Sequence, residues 1–211
     1  MDAFDKVREY SQVHLAGDLT GHDYNHAKRV LYWVETIIQA DDYHVDELVA
    51  KSAALLHDTI DDKVVMDTKK ARVDLEKFLL ETVNENQASA IMAIVDRMSY
   101  SANIEQKQTL SIEGQIVQDA DRIDALGAQG ILRTAYYGGR NGHPIYDATL
   151  LPQTFESKTD YRKGTTVINH FYEKLLLLPD LMNTETGKRE GKRRKRFMEI
   201  FLDEFYNETS L

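Results

Sequence analysis

Two histidines and two aspartates, His26, the adjacent pair His57-Asp58, and Asp121, are the side chains of this sequence best suited to holding a metal ion. Imidazole nitrogens and carboxylate oxygens together form a donor set that suits Mn²⁺, Mg²⁺, Co²⁺, Fe²⁺, Ni²⁺ or Zn²⁺, and four such ligands leave coordination positions for water. Water held by such an ion loses a proton more easily, and the ion neutralises charge that develops on a phosphate. Hydrolysis of a phosphate ester or anhydride needs both effects. Cysteine is absent, which removes disulfides, thiolate nucleophiles, iron–sulfur clusters and cysteine zinc sites.

The flanking residues point to the same chemistry. Asp61 lies three positions beyond Asp58, so it shares its face if the helix continues, and it is the candidate to orient or deprotonate the attacking water, with Asp58 as the other catalytic carboxylate. Arg29, three residues after His26, and Lys63 are candidates for binding phosphate, Arg as a two-pronged donor and Lys as a point charge. His22, one helical turn before His26, is a candidate substrate contact. Asn169, His170 and Lys174 form a second polar cluster in which a helix puts 170 and 174 on one face. Each has a plainer alternative: a helix-end acid, a structural ion pair, or a cap. His22-Asp23-Tyr24-Asn25-His26 has two histidines at zinc-protease spacing, but that pattern needs Glu after the first His, and Asp23 is shorter.

Helices must position these groups. Apolar residues recur at spacings of three and four in Asp5–Ala16, Tyr24–Ala40, Asp46–Ile60, Thr68–Glu81, Asn86–Met98, Ile112–Tyr137, Thr165–Leu178 and Glu190–Tyr206. The expected fold is all-α, with His57-Asp58 where an apolar helix runs into a polar end. Gly138–Lys163 lacks helical period and is expected to be a long loop. One domain over residues 1–211 is expected, with core motifs at about 20–130 and a C-terminal helical extension at about 163–208.

Charge and hydropathy limit the partners. The net charge of −9 disfavours nucleic acid, which needs a basic surface; the basic run Lys188–Arg196 reads as a solvated helix face. No apolar run is long enough to span a membrane. The opening residues Met1–Asp5 have neither a basic region nor an apolar core, so a cytoplasmic location is expected. A small anionic ligand remains compatible with this charge, because a bound cation and a few basic side chains can make one pocket locally positive, and a homodimer would be an ordinary assembly.

The motifs around the four ligands resemble the HD-domain superfamily of metal-dependent phosphohydrolases: Gly21-His22-Asp23-Tyr24-Asn25-His26, Leu55-Leu56-His57-Asp58-Thr59-Ile60-Asp61-Asp62-Lys63, and Gln118-Asp119-Ala120-Asp121-Arg122-Ile123-Asp124-Ala125. Further segments resemble a subgroup of small bacterial HD proteins: Arg133-Thr134-Ala135-Tyr136-Tyr137-Gly138-Gly139, Pro144-Ile145-Tyr146-Asp147 and Asn169-His170-Phe171-Tyr172-Glu173-Lys174. That resemblance implies an HD helical bundle, Mn²⁺ dependence, and hydrolysis of (deoxy)nucleoside triphosphates to monophosphate and pyrophosphate. The alternatives among HD enzymes are a nucleoside monophosphate phosphatase and a guanosine tetraphosphate or cyclic-nucleotide hydrolase; the alternative of a different class is a non-catalytic HD-like binding or sensor module.

Overall fold

The computed structural model describes residues 1–104, 106–155 and 165–209. They form nine α-helices, and no strand occurs among them: α1 (Ala3–His14), α2 (Tyr24–Ala40), α3 (Glu47–Leu56), α4 (Thr68–Thr82), α5 (Glu85–Arg97), α6 (Ile112–Asp124), α7 (Gly127–Arg140), α8 (Val167–Glu173) and α9 (Glu185–Thr209). Two 3₁₀ segments, Ser101–Asn103 and Leu175–Leu181, join them. The all-α expectation holds. No helix among the described residues is long and apolar enough to cross a membrane.

The helix starts are written in the sequence. Asp2, Asp23, Asp46, Asp67, Asn84, Ser111 and Thr166 each accept a hydrogen bond from the backbone N–H three residues on. Each satisfies an N–H that the helix itself leaves unpaired, worth about 1 kcal/mol. Helices α2, α3 and α6 pack on one another, α5 covers α3, and α9 lies along α6 and α7. Their shared core includes Val30, Val34, Ala53, Leu55, Ile91, Ile116 and Ile123, all buried. His26, His57, Asp58 and Asp124 are buried polar residues on the same three central helices or at their ends.

Three expectations need correction. The apolar period over Ile112–Tyr137 suggests one helix, but the chain breaks at Ala125-Leu126-Gly127. Gly127 has φ +72°, a left-handed conformation that costs any residue with a Cβ about 1–2 kcal/mol. Arg194 of α9 closes the break, donating from Nη1 to the carbonyls of Ile123 (2.7 Å) and Leu126 (3.4 Å). The helix through Asp46–Ile60 stops at Leu56, and turns carry the chain through His57–Ile60. Gly138–Arg140, expected to open a loop, complete α7; of the remainder of that expected loop, residues 156–163 lie outside the described residues.

The basic run also has a structural place on α9. Lys188 pairs with Glu185 (2.8 Å), and Arg193 and Arg194 both pair with Glu190 (2.7 Å). The Arg194 guanidinium lies 5.0 Å from the centre of the Trp33 ring. The start of α9 is fixed from α6: Asp119 accepts from the backbone N–H groups of Asn183 (2.8 Å) and Thr184 (2.7 Å) and from the Thr184 hydroxyl (2.9 Å).

Candidate metal centre and its cavities

His26 enters the site from the first turn of α2, where Asp23 Oδ1 accepts its backbone N–H at 2.8 Å. Its Nδ1 meets Asp124 Oδ2 at 2.6 Å. With Nδ1 donating to that carboxylate, Nε2 carries the lone pair and points inward. His57 ends α3, and its Nδ1 meets the Ala54 carbonyl at 2.9 Å, which likewise leaves Nε2 as the acceptor nitrogen. The two Nε2 atoms face each other at 3.2 Å. Asp58 Oδ2 lies 3.3 Å from His26 Nε2 and 3.2 Å from His57 Nε2. Asp121 Oδ1, from α6, lies 3.4 Å from His26 Nε2 and 3.8 Å from His57 Nε2.

This donor set fits a divalent cation. Two imidazole lone pairs aimed at each other repel unless a positive charge sits between them. Asp58 Oδ2 is buried and accepts no well-formed hydrogen bond among the described residues, and an unpaired buried carboxylate oxygen is costly. The ligand atoms of His26, His57 and Asp58 all lie within 4.8 Å of one another, with Asp121 beside them. When no cation is bound, protons take its place. Burial and then Arg133 depress the His26 pKa, but the surrounding carboxylates of Asp121, Asp124 and Asp58 outweigh them and hold it at about 10. Burial opposes ionisation of Asp58 and Asp121, yet His57 and His26 hold both carboxyls below the usual carboxylate range.

Asp124 was given no role on sequence grounds, and it proves central. Besides His26 it accepts from Arg29 Nε (2.7 Å), Arg29 Nη2 (3.1 Å) and Arg133 Nη1 (3.1 Å). It fixes the tautomer and direction of a ligand histidine, as carboxylates behind metal-bound histidines do. Its position three residues after Asp121 was the available signal, the same spacing that singled out Asp61. Arg29, expected on phosphate, spends two donors on Asp124 and lines neither cavity of the site. Arg133 does line both cavities, and nothing but its place in a motif marked it beforehand.

Two cavities adjoin the cluster. One is lined by His57, Asp58 and Asp121 together with Asp61 and Asp96. The other runs under the end of α7 and is lined by Tyr137, His143 and His170 among others. They share a rim of His22, Lys63, Ala125, Arg133 and Lys174. Lys63 Nζ lies 3.2 Å from His22 Nε2. His22 precedes α2, which Asp23 caps, yet its ring stands edge-on to the His26 ring with centroids 6.0 Å apart; the Asp18 carboxylate holds the His22 backbone N–H at 2.7 Å. Asp61 faces the metal-side cavity, accepting the Lys63 N–H at 2.9 Å. Burial raises its pKa, with Lys63 opposing and Asp58 reinforcing the rise. Asn169 is buried, donates to the Leu150 carbonyl at 3.0 Å and lines neither cavity. The structure therefore gathers His22, Lys63, His170 and Lys174 around the cavities and leaves Arg29 and Asn169 outside.

Comparisons with known proteins agree with this arrangement. A family model of the HD domain matches residues 23–126. Bacillus subtilis (strain 168) YpgQ is 33% identical over 201 residues, covering 94% of this chain and 89% of YpgQ. A crystal structure of a Lactobacillus plantarum protein matches with a TM-score of 0.90 and 38% identity, over 99% of this chain and 97% of that one. An HD-superfamily hydrolase from Bacillus thuringiensis matches with a TM-score of 0.74 and 36% identity, over 98% and 96%. The crystal structure of YpgQ in complex with ADP matches with a TM-score of 0.76 and 28% identity, over 97% of each chain. This chain belongs to the HD-domain superfamily.

Proposed function

We propose that this chain is a metal-dependent phosphohydrolase of nucleotides, cutting (deoxy)nucleoside triphosphates between the α and β phosphates to give monophosphate and pyrophosphate. The observation that carries the reading is the convergence of His26, His57, Asp58 and Asp121 beside a rim of cations. The ADP bound to YpgQ supports a nucleotide as the ligand class, and the resemblance to the small bacterial HD subgroup supports the triphosphate and Mn²⁺.

His26, His57, Asp58 and Asp121 would hold one divalent ion, Mn²⁺ in this reading. Such an ion makes water more acidic and neutralises charge on the phosphate. The chain's own residues do the rest. Asp61 faces the same cavity as Asp58 and Asp121; its carboxylate orients a water, and takes its proton as the water oxygen attacks the α phosphorus and the bond to the bridging oxygen breaks. Burial lifts the Asp61 carboxyl from its ordinary value, which makes it a better proton acceptor than a free aspartate. Lys63, Arg133, Lys174 and His22 meet the departing charge at the rim. Asp124 keeps His26 in the tautomer that presents Nε2.

A nucleotide panel tests the reading, with metal-free, Mn²⁺, Mg²⁺ and Co²⁺ arms and with pyrophosphate and orthophosphate assayed separately. Mn²⁺-dependent release of pyrophosphate from dATP is the expected result. Orthophosphate from a monophosphate, with triphosphates inert, would replace it with a phosphomonoesterase reading. Loss of all hydrolysis with every metal would leave a binding module.

A further inference from the structure

The cavity under the end of α7 changes character along its depth. Among the described residues its lysines and arginine, Lys63, Arg133 and Lys174, all stand on the rim shared with the metal-side cavity. Beyond the rim the wall has Thr134, Tyr137, His143, Val167, His170 and Leu175 prominent in it, and no lysine, arginine, aspartate or glutamate lines it among the described residues. His170 stays neutral there: burial, then the charges of Lys174, Lys63 and His143, bring its pKa down to about 3.

The Gly138–Pro144 motif builds this wall. Gly142 has φ +71°, and the turn it allows brings the His143 N–H back to the Gly138 carbonyl at 2.9 Å. The His143 ring then stands edge-on to Tyr137, with centroids 6.2 Å apart at 74°. Val167 and Ile168 donate their N–H groups to the carbonyls of Pro144 and Ile145, each at 3.0 Å, which clamps the start of α8 against the turn. A Cβ at Gly138 would collide with the Val167 side chain, so the absence of one lets α7 and α8 close on a narrow slot.

We propose that this slot is the nucleoside subsite, with base and sugar against Tyr137, His143 and Val167 and the phosphates at the cationic rim. The proposal rests on the nucleotide reading above. Charge order decides the direction. From the metal cluster outward the path runs through carboxylates, then cations, then a wall of rings, methyls and hydroxyls with no lysine, arginine or carboxylate among the described residues. A phosphate chain pushed into the slot would leave Lys63, Arg133 and Lys174 behind it. A nucleoside in the slot leaves its phosphates among them, and its flat, uncharged base meets a wall of matching polarity.

Calorimetric titrations of the full chain test this with two probes: the non-hydrolysable α,β-methylene analogue of dATP, and inorganic tripolyphosphate. The wild type should bind the analogue about tenfold or more tightly than tripolyphosphate, because only the analogue carries a base to stack. Thr134→Trp fills the slot, and Tyr137→Ala removes its aromatic face without adding bulk, so the pair guards against one variant failing to fold. Both should lower analogue affinity about tenfold and close the gap between the probes. Equal losses for both probes would put the phosphate chain in the slot, and unchanged analogue affinity would put the nucleoside in the metal-side cavity; either overturns the proposal. A wild type that binds neither probe overturns the nucleotide reading itself.

Discussion

Asp124→Asn is the most informative single change. The side chain keeps its shape but loses its charge and gains an NH₂ group that cannot accept. Four contacts converge on this carboxylate: His26 Nδ1 at 2.6 Å, Arg29 Nε at 2.7 Å, and Arg29 Nη2 and Arg133 Nη1 at 3.1 Å. Whichever way the amide lies, one donor faces another, and the His26 tautomer is no longer fixed. Loss of a carboxylate behind a ligand histidine costs about 10–100-fold in metal affinity, or about 1.4–2.7 kcal/mol. The fold suffers too. A charge-assisted hydrogen bond contributes about 1.5–3 kcal/mol, but the Arg29 side chain is 35% exposed and rehydrates when released, so the net loss is about 2 kcal/mol. For a chain of this size that lowers the melting temperature by about 4–8 °C. The assay is a calorimetric Mn²⁺ titration of chelator-stripped protein, with a thermal melt alongside. A folded variant that binds Mn²⁺ within threefold of wild type would refute the assignment of Asp124 as the group that orients His26.

Three other changes separate the site from its scaffold. Asp58→Ala should abolish Mn²⁺ binding and hydrolysis and remove the rise in melting temperature that Mn²⁺ gives the wild type, a stabilisation of about 2.7 kcal/mol at a hundredfold excess over the dissociation constant; equal shifts in both proteins would sink the metal site. Gly187→Ala should destabilise by about 1–3 kcal/mol in urea unfolding, through overpacking, because a Cβ there would stand 2.5 Å from Asp119 Oδ2 and 2.7 Å from Thr184 Oγ1. His170→Gln should flatten the acid limb of stability. The folded ring, with its pKa at about 3, stays neutral while the unfolded ring protonates near 6.5, so this stability is complete above that value and fades as pH falls toward 3. The wild type should lose up to about 1.4 kcal/mol more than the variant per pH unit below 6.5, and parallel urea midpoints at pH 7, 6 and 5 would contradict that.

Local chemistry was legible in the sequence where it acts locally. The bounds of α2 are those its apolar spacing predicts, and the His57-Asp58 pair lies at a helix end as its polar sequel suggests. What the sequence hid depends on partners far along the chain. Arg29 looks like a phosphate grip until Asp124, 95 residues away, takes it. His22 does neighbour His26, ring to ring, but through the chain before α2 rather than a helical turn, since Asp23 caps the helix between them. The apolar period runs smoothly through Leu126 and Gly127, and only the backbone of Gly127, with Arg194 plugging the open carbonyls, splits α6 from α7. That split lets Arg133 turn back onto Asp124, so the missed break and the missed residues have one cause.

The clasp between Asp119 and the start of α9 sets an order of events for a chain made from its N-terminus. His26, His57, Asp58 and Asp121 have all been synthesised by position 121, yet every hydrogen bond that Asp119 accepts among the described residues comes from Asn183 and Thr184. Until those residues leave the ribosome, a carboxylate destined for full burial stands open two positions before Asp121, and the carbonyls that Arg194 will close are bare. The nascent protein thus carries its complete set of metal-facing groups for some sixty residues of further elongation before the support that fixes α6 arrives, so α9 acts as a late check on the geometry of α6 against α2 and α3.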